Sequence, residues 1–343
     1  MMRLPLFEFR APQTVAEAVR ILDGEGPQAL PLAGGTDLLP NMKRRQQVPR
    51  TLMSLQRLQE LHHLEFRDSG SRLGACVTLS EIAAERRFRD GMTALAQAAS
   101  FVATPQIRNM ATLGGNLCLD TRCNYYDQNY EWRKSIGFCL KKDGDICWVA
   151  PGSAKCMAVS STDTAPALMA LGARVRLVSR SGEREVPLSE LYQNDGIRYI
   201  TRQPGELLTE VLLDSFDGWK STYWKLRRRG SFDFPVLSVA VAARLSDQGI
   251  VVDARIVVGS VACLPLVATE ASRSLVGRPL DQESIAQAAA LGARIAKPLD
   301  NTDFDMSWRK RVTAEFVTYA LRELRGDDLR GERLLLTRHS SSL

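Results

Sequence analysis

Four cysteines, Cys123, Cys139, Cys147 and Cys156, fall inside one 34-residue stretch with the spacing C-x15-C-x7-C-x8-C. They account for four of the seven cysteines in the chain. Thiolates gathered this way can hold an iron–sulfur cluster or a zinc ion, or can pair as two disulfides. Structural zinc draws its ligands from tight pairs, with about two to four residues between partners, because one small ion must gather them all. No gap here is that short. A [4Fe–4S] cube is wider and takes thiolates from a wrapping loop. Disulfides need an oxidising compartment, and the segment Met1–Arg10 has neither the long apolar core nor the small-residue cleavage site of a secretory signal. The spacing favours iron–sulfur and leaves zinc, disulfides and reduced thiols open. Cys76, Cys118 and Cys263 sit in apolar runs and read as small core residues.

Two glycine pairs are the second chemical feature. Ala33-Gly34-Gly35-Thr36-Asp37 follows a short apolar strand and precedes a helical turn over Leu38–Met42. Glycine lets backbone approach a ligand closely, and successive N–H groups at such a turn cradle an anion such as a pyrophosphate. This is not the G-x-G-x-x-G pattern of a Rossmann domain, and a lone Gly-Gly pair more often marks a tight turn. The second loop, Thr112-Leu113-Gly114-Gly115-Asn116, changes the balance, since two such loops could grip one dinucleotide from two sides. Asp163 and Lys225 are polar candidates for a ribose, a ring edge or a phosphate; their plain readings are a helix N-cap and a surface lysine.

The elements that must position these residues can be read from pattern. Thr14-Val15-Ala16-Glu17 has capping-box form and opens an amphipathic helix ending near Gly24. Strands are expected at Ala29–Ala33, Thr51–Leu55, Arg72–Val77 and Ala173–Val178. A capped helix opens at Thr78-Leu79-Ser80-Glu81, with further helices over Met92–Val102 and Ala165–Leu171. The cysteine segment lacks periodicity and reads as a long functional insertion. Strands over Thr222–Arg228, Val236–Leu245 and Ile250–Gly259 form a meander with a turn at Ser246–Gly249. Helices follow at Leu266–Leu275, Gln282–Ala296 and Ser307–Leu324, and the polar end reads as a loose tail. The divisions are 1–60, 61–214 with an insertion at about 119–158, 215–326, and a tail at 327–343.

At 343 residues, 45% hydrophobic and 24% charged, the chain has ordinary globular composition and room for two or three cores. No apolar run reaches the length of a membrane span. The net charge of +6 comes with three short basic clusters, Lys43–Arg45, Arg227–Arg229 and Arg309–Arg311. They are scattered and not interleaved with aromatics, which fits solvated faces or a subunit contact better than a nucleic-acid surface. With only three histidines, His62, His63 and His339, a histidine-based catalytic site has little support.

In order and spacing these motifs resemble the flavin-binding medium subunit of the molybdenum hydroxylases, the xanthine dehydrogenase and carbon monoxide dehydrogenase group. The likeness runs from about Phe7 to Leu324. It implies an α+β fold: a two-part N-terminal α/β FAD-binding domain of the PCMH type, then a C-terminal three-stranded antiparallel sheet with helices. Leu32, Ala33, Gly34, Gly35, Thr36, Asp37 and Leu38 match the first FAD loop, and Thr112, Gly114, Gly115 and Asn116 match the second. Asp163 matches the aspartate that holds the cofactor, and Lys225 falls where a lysine approaches the flavin end. Most members lack the cysteine segment, which is similar to the insertion of the 4-hydroxybenzoyl-CoA reductase β subunit. That insertion carries an extra [4Fe–4S] cluster, so Cys123, Cys139, Cys147 and Cys156 are the implied ligands. Periplasmic aldehyde oxidoreductases of the superfamily also carry a cluster insertion, less like this one.

The resemblance implies an electron-transfer subunit with no catalytic residue of its own. Its expected partners are a large molybdopterin-binding subunit and a small [2Fe–2S] subunit, in a dimer of heterotrimers, with ferredoxin as electron donor. The implied reaction is reductive dehydroxylation of 4-hydroxybenzoyl-CoA to benzoyl-CoA. The rival is the same scaffold in an aldehyde or N-heterocycle dehydrogenase; a second rival is a zinc-stabilised module without redox function. The cytoplasm is the expected location.

Overall fold

The computed structural model describes residues 3–338 and builds the chain on three sheets. The first is parallel, with β1 (Glu8–Arg10), β2 (Ala29–Leu32) and β3 (Thr51–Ser54) in the order β1-β3-β2. The helix Val15–Glu25 makes the crossover between β1 and β2, burying Ala18, Val19 and Leu22. Thr14 caps it by accepting from the Glu17 N–H, but the Glu17 carboxylate returns to the Gln13 N–H, so the expected box closes one residue early. Pro31 has no N–H to give and lies in β2, an edge strand, where none is needed.

The second sheet is antiparallel, with β4 (Leu64–Arg67), β5 (Gly70–Gly74), β6 (Arg174–Ser179), β7 (Gly182–Pro187) and β8 (Leu207–Asp214) in the order β4-β5-β8-β6-β7. Its central strand β8 has no counterpart among the sequence expectations. Seven of its eight residues are buried, which erases the alternation that marks a one-sided strand. The helix Leu79–Ala84 carries the complete capping box, with Thr78 and Glu81 each satisfying the other's backbone N–H.

The third sheet holds three long antiparallel strands, β9 (Trp219–Leu226), β10 (Leu237–Leu245) and β11 (Val251–Gly259), plus the two-residue β12 (Leu266–Val267) at the edge. Alternation along β9 sends neighbours to opposite faces. Trp224 packs with Val239, Val241, Phe316 and Leu321 in one core, while Tyr223 joins Ala240, Leu95 and Leu168 in the other. The sheet is therefore covered on both sides: by helices Thr269–Leu275 and Met306–Arg325 on one, with Gln282–Ile295 packed against both helices, and by Thr93–Ser100 and Thr164–Ala170 on the other.

Two expectations need correcting. The stretch from 327, read as a loose tail, contains the helix Arg330–Arg338. Arg333 docks it, bonding both carboxylate oxygens of Glu323 at 2.9 and 2.6 Å and lying 4.0 Å over the Trp224 ring. Residues 339–343 of that stretch, His339 included, lie outside the described residues. Lys225, read on its plain alternative as a surface strand lysine, is buried. No helix among the described residues is long and apolar enough to cross a membrane.

Candidate functional site

The two glycine loops meet at one cleft of about 410 Å³. A Cβ on Gly34 would collide with the Met110 carbonyl oxygen, so the loops touch through the missing side chain. Gly35 turns the chain with φ +70°, in the region glycine favours, and Leu39 donates back to its carbonyl at 3.1 Å to start the helix Leu38–Lys43. In the second loop Thr112 accepts from the Gly115 N–H at 3.1 Å, starting the short helix Leu113–Leu117. Gly114 donates to the Ala75 carbonyl at 2.8 Å, and an added Cβ there would sit 2.8 Å from the Ala75 methyl. Asn116 is locked from behind: its Oδ1 accepts from the Thr162 hydroxyl at 2.8 Å, the Thr164 hydroxyl at 2.7 Å and the Thr164 N–H at 3.1 Å.

Ala33, Gly34, Gly35, Thr36, Asp37, Leu38, Thr112, Gly114, Gly115, Asn116 and Asp163 all line the cleft; Leu32 and Lys225 do not. The Lys225 ammonium lies 3.0 Å from Asp163 and donates to the Phe101 carbonyl at 2.9 Å, and Tyr223 donates to Asp163 at 2.7 Å. Burial pushes the Asp163 carboxyl up and the Lys225 ammonium down, each opposed by the other's charge. Lys225 thus reaches the cleft only through Asp163 and through the Phe101 carbonyl that leads into the cleft-lining Val102 and Ala103.

Several cleft residues were not legible in the sequence. Arg122 pairs with Asp37 of the first loop, donates to Asp127 at 3.0 Å and to Asn41 at 3.2 Å, and lies 4.7 Å over the Phe234 ring. Phe232, with φ +65°, donates its N–H to the Ala103 carbonyl at 3.1 Å, and both Phe232 and Phe234 are exposed at the cleft. Asp120 and Tyr199 complete the wall nearest the cysteines. A clue to Arg122 was available in its position directly before Cys123; the others depend on contacts distant in sequence.

The cysteine segment closes at its neck, where Arg122 and Val159 exchange backbone hydrogen bonds at 2.8 and 2.7 Å. Inside it one short helix, Tyr130–Ser135, is capped by Asn129. The segment is tied to the rest of the chain by Asn301, which donates to the Met157 carbonyl at 2.7 Å, and by Arg133, which donates to the Arg44 carbonyl at 2.8 Å. Cys123, Cys139, Cys147 and Cys156 are all buried, and Cys123 is within electrostatic reach of the other three. Burial pushes the Cys123 thiol up to about 12 and the Cys156 thiol up to about 11, against N–H donors from Tyr125 and Ala158 respectively. All seven cysteines are free, so the disulfide alternative is not realised. Among the described residues no three His, Cys, Asp or Glu side chains are arranged to hold a metal ion, so the four thiols form no ready-made metal site.

Residues 5–213 match the family described as the FAD binding domain in molybdopterin dehydrogenase, and residues 221–324 match the CO dehydrogenase flavoprotein C-terminal domain. The chain is 34% identical over 269 residues to the aldehyde oxidoreductase FAD-binding subunit PaoB of Escherichia coli K12, covering 76% of this chain and 82% of that one. It is 29% identical over 283 residues to the nicotinate dehydrogenase FAD-subunit of Eubacterium barkeri, covering 81% and 82%. In three dimensions it is similar to reconstituted CO dehydrogenase from Oligotropha carboxidovorans, with a TM-score of 0.79 at 26% identity, covering 95% of this chain and all of that one.

Proposed function

We propose, because this chain belongs to the family of FAD-binding domains of molybdopterin dehydrogenases, that it is the electron-carrying flavoprotein subunit of a complex that oxidises an aldehyde or an N-heterocycle. The observation that carries this is the cleft where both glycine loops converge. Backbone N–H groups of the Gly34–Gly35 turn suit a pyrophosphate, and the buried Asp163 and Asn116 suit the polar edges of a dinucleotide. FAD supplies one- or two-electron exchange, which lets such a subunit join donors and acceptors of different stoichiometry. The residues of this chain would bind and orient it: the two glycine loops, Asp163 and Asn116 would hold it, beside the exposed rings of Phe232 and Phe234 at the cleft.

The substrate class follows the relatives, one named for an aldehyde and one for nicotinate. This moves the reading away from reductive dehydroxylation of 4-hydroxybenzoyl-CoA, which rests only on likeness in the cysteine segment. That segment keeps the reductive direction as a second reading. In both, the chain works beside a large molybdopterin-binding subunit and a small [2Fe–2S] subunit, in a dimer of heterotrimers, with ferredoxin as an external electron carrier.

Cys123, Cys139, Cys147 and Cys156 would hold a [4Fe–4S] cluster. Four buried free thiols in one segment, three of them packed in one cluster with Tyr126, support this, as do the N–H donors aimed at Cys123 and Cys156. A cube spreads its ligands farther than a single ion, and its irons take thiols as thiolates whatever their free acidity. The test is FAD, iron, sulfide and zinc content of anaerobically purified complex, followed by flavin bleaching with aldehydes and N-heterocycles and, for the reductive direction, by return of flavin colour when 4-hydroxybenzoyl-CoA is added after reduction by ferredoxin. One FAD per chain, and about four irons lost on Cys139→Ser while the [2Fe–2S] irons of the small subunit stay, support the cofactor assignment, and bleaching by an aldehyde or heterocycle supports the direction. Zinc without FAD overturns both.

A further inference from the structure

Between the cysteines and the cleft lies a buried charge that neither glycine loop uses. Lys141 and Asp120 each expose only 6% of their side chains and meet at 2.8 Å. The ammonium spends its other two protons on the Thr121 hydroxyl at 2.7 Å and the Gly196 carbonyl at 2.6 Å, so its donors are all used. It lies 4.8 Å from the Tyr126 ring centre and 5.5 Å from that of Tyr199. Tyr126 packs with Cys123, Cys139 and Cys156 and donates to Asp120 at 3.0 Å, whereas Asp120 and Tyr199 line the cleft. The Asp120–Lys141–Tyr126 group therefore touches the cysteine pocket on one side and the cleft on the other.

We propose that Lys141 is a positioning residue for electron transfer, its charge setting the reduction potential of the group held by the four cysteines and its contacts fixing Tyr126 between that group and the cleft. This rests on the cluster reading above. Four thiolates make the oxidised centre net negative, and reduction adds another negative charge. A cation fixed nearby in a poorly solvated site favours the reduced form, and screening there is weak. The Asp120 carboxylate carries the opposite charge beside the ammonium, so the two residues pull the potential in opposite directions. A lysine serving only to anchor the segment could be replaced without moving the potential.

The experiment is a redox titration of the assembled complex followed by electron paramagnetic resonance, with iron counted in each sample. Lys141→Met should shift the cluster midpoint to more negative values, Asp120→Asn should shift it to more positive values, and Lys141→Arg should stay near the wild type. Unchanged midpoints at full iron content, or shifts of both variants in one direction, overturn the proposal. Should Lys141→Met lose its iron, Asp120→Asn alone decides, an upward shift supporting the proposal and none overturning it. A wild-type complex with no iron and no paramagnetic signal beyond those of the [2Fe–2S] subunit sinks the cluster reading instead, which separates the two failures.

Discussion

Gly34 shows how much a single absent methyl can decide. Alanine there must push the Met110 carbonyl away and open the seam between the two loops. Gly34→Ala should therefore weaken FAD retention by at least about tenfold, ~1.4 kcal/mol, seen as flavin lost on gel filtration; full retention would show that the seam is not part of the binding surface. Lys225 makes the opposite kind of argument, because it acts on the cleft from outside. Lys225→Met strands the Asp163 carboxylate in a buried site, at a cost of about 3 kcal/mol in urea unfolding at neutral pH. Adding Asp163→Asn should recover much of that, since the charge left without a partner is then gone. An equal or larger loss in the double variant would mean that Lys225 matters for packing alone.

At the level of elements, the helix Arg330–Arg338 is held through one carboxylate. Burial pushes the Glu323 carboxyl up, but Arg333, with hydrogen bonds from Thr222 and Trp224, pulls it further down, below its usual 4.5. A carboxyl held low in the folded state adds stability above its unfolded value, and that stability is lost as pH falls through the folded one. Arg333→Ala should cost about 1–3 kcal/mol at about pH 7, and the deficit should narrow as the pH is taken below about 4. Urea melts at the two pH values check this, and a deficit independent of pH would remove Glu323 from the account. Elements closed by local chemistry were the legible ones: the caps at Thr14 and Thr78 and the three long strands of the third sheet all reveal themselves within a few residues. β8 was hidden because its burial is continuous, and the terminal helix because its docking residue acts across more than a hundred positions on Thr222 and Tyr223. The same division runs through the site. Glycine and cysteine betray themselves by type and spacing, whereas Arg122, Asp120 and Phe234 gain meaning only once distant segments meet.

For the molecule as a whole, the cleft draws its walls from the first loop, the second loop, the region around Asp163, Tyr199 and the Phe232–Phe234 turn. A ligand that binds there binds only the folded chain. FAD at about a hundred times its dissociation constant should stabilise the stripped protein by about 2.7 kcal/mol, a rise of several degrees in thermal melting. No rise with FAD, against a rise with another nucleotide, would reassign the cleft.

The order of the five-stranded sheet bears on how the chain is made. β8 lies between β5 and β6 yet is the last of the five in the chain, about 130 residues after β5 ends. At roughly 5–20 residues per second a ribosome needs on the order of ten seconds to cover that distance. During that interval the β4–β5 and β6–β7 hairpins each leave the ribosome with a bare edge, each waiting for the same strand. Newborn chains are thus most open to sticking together midway through translation, and soluble yield should depend more on chaperone supply during synthesis than on the stability of the finished protein.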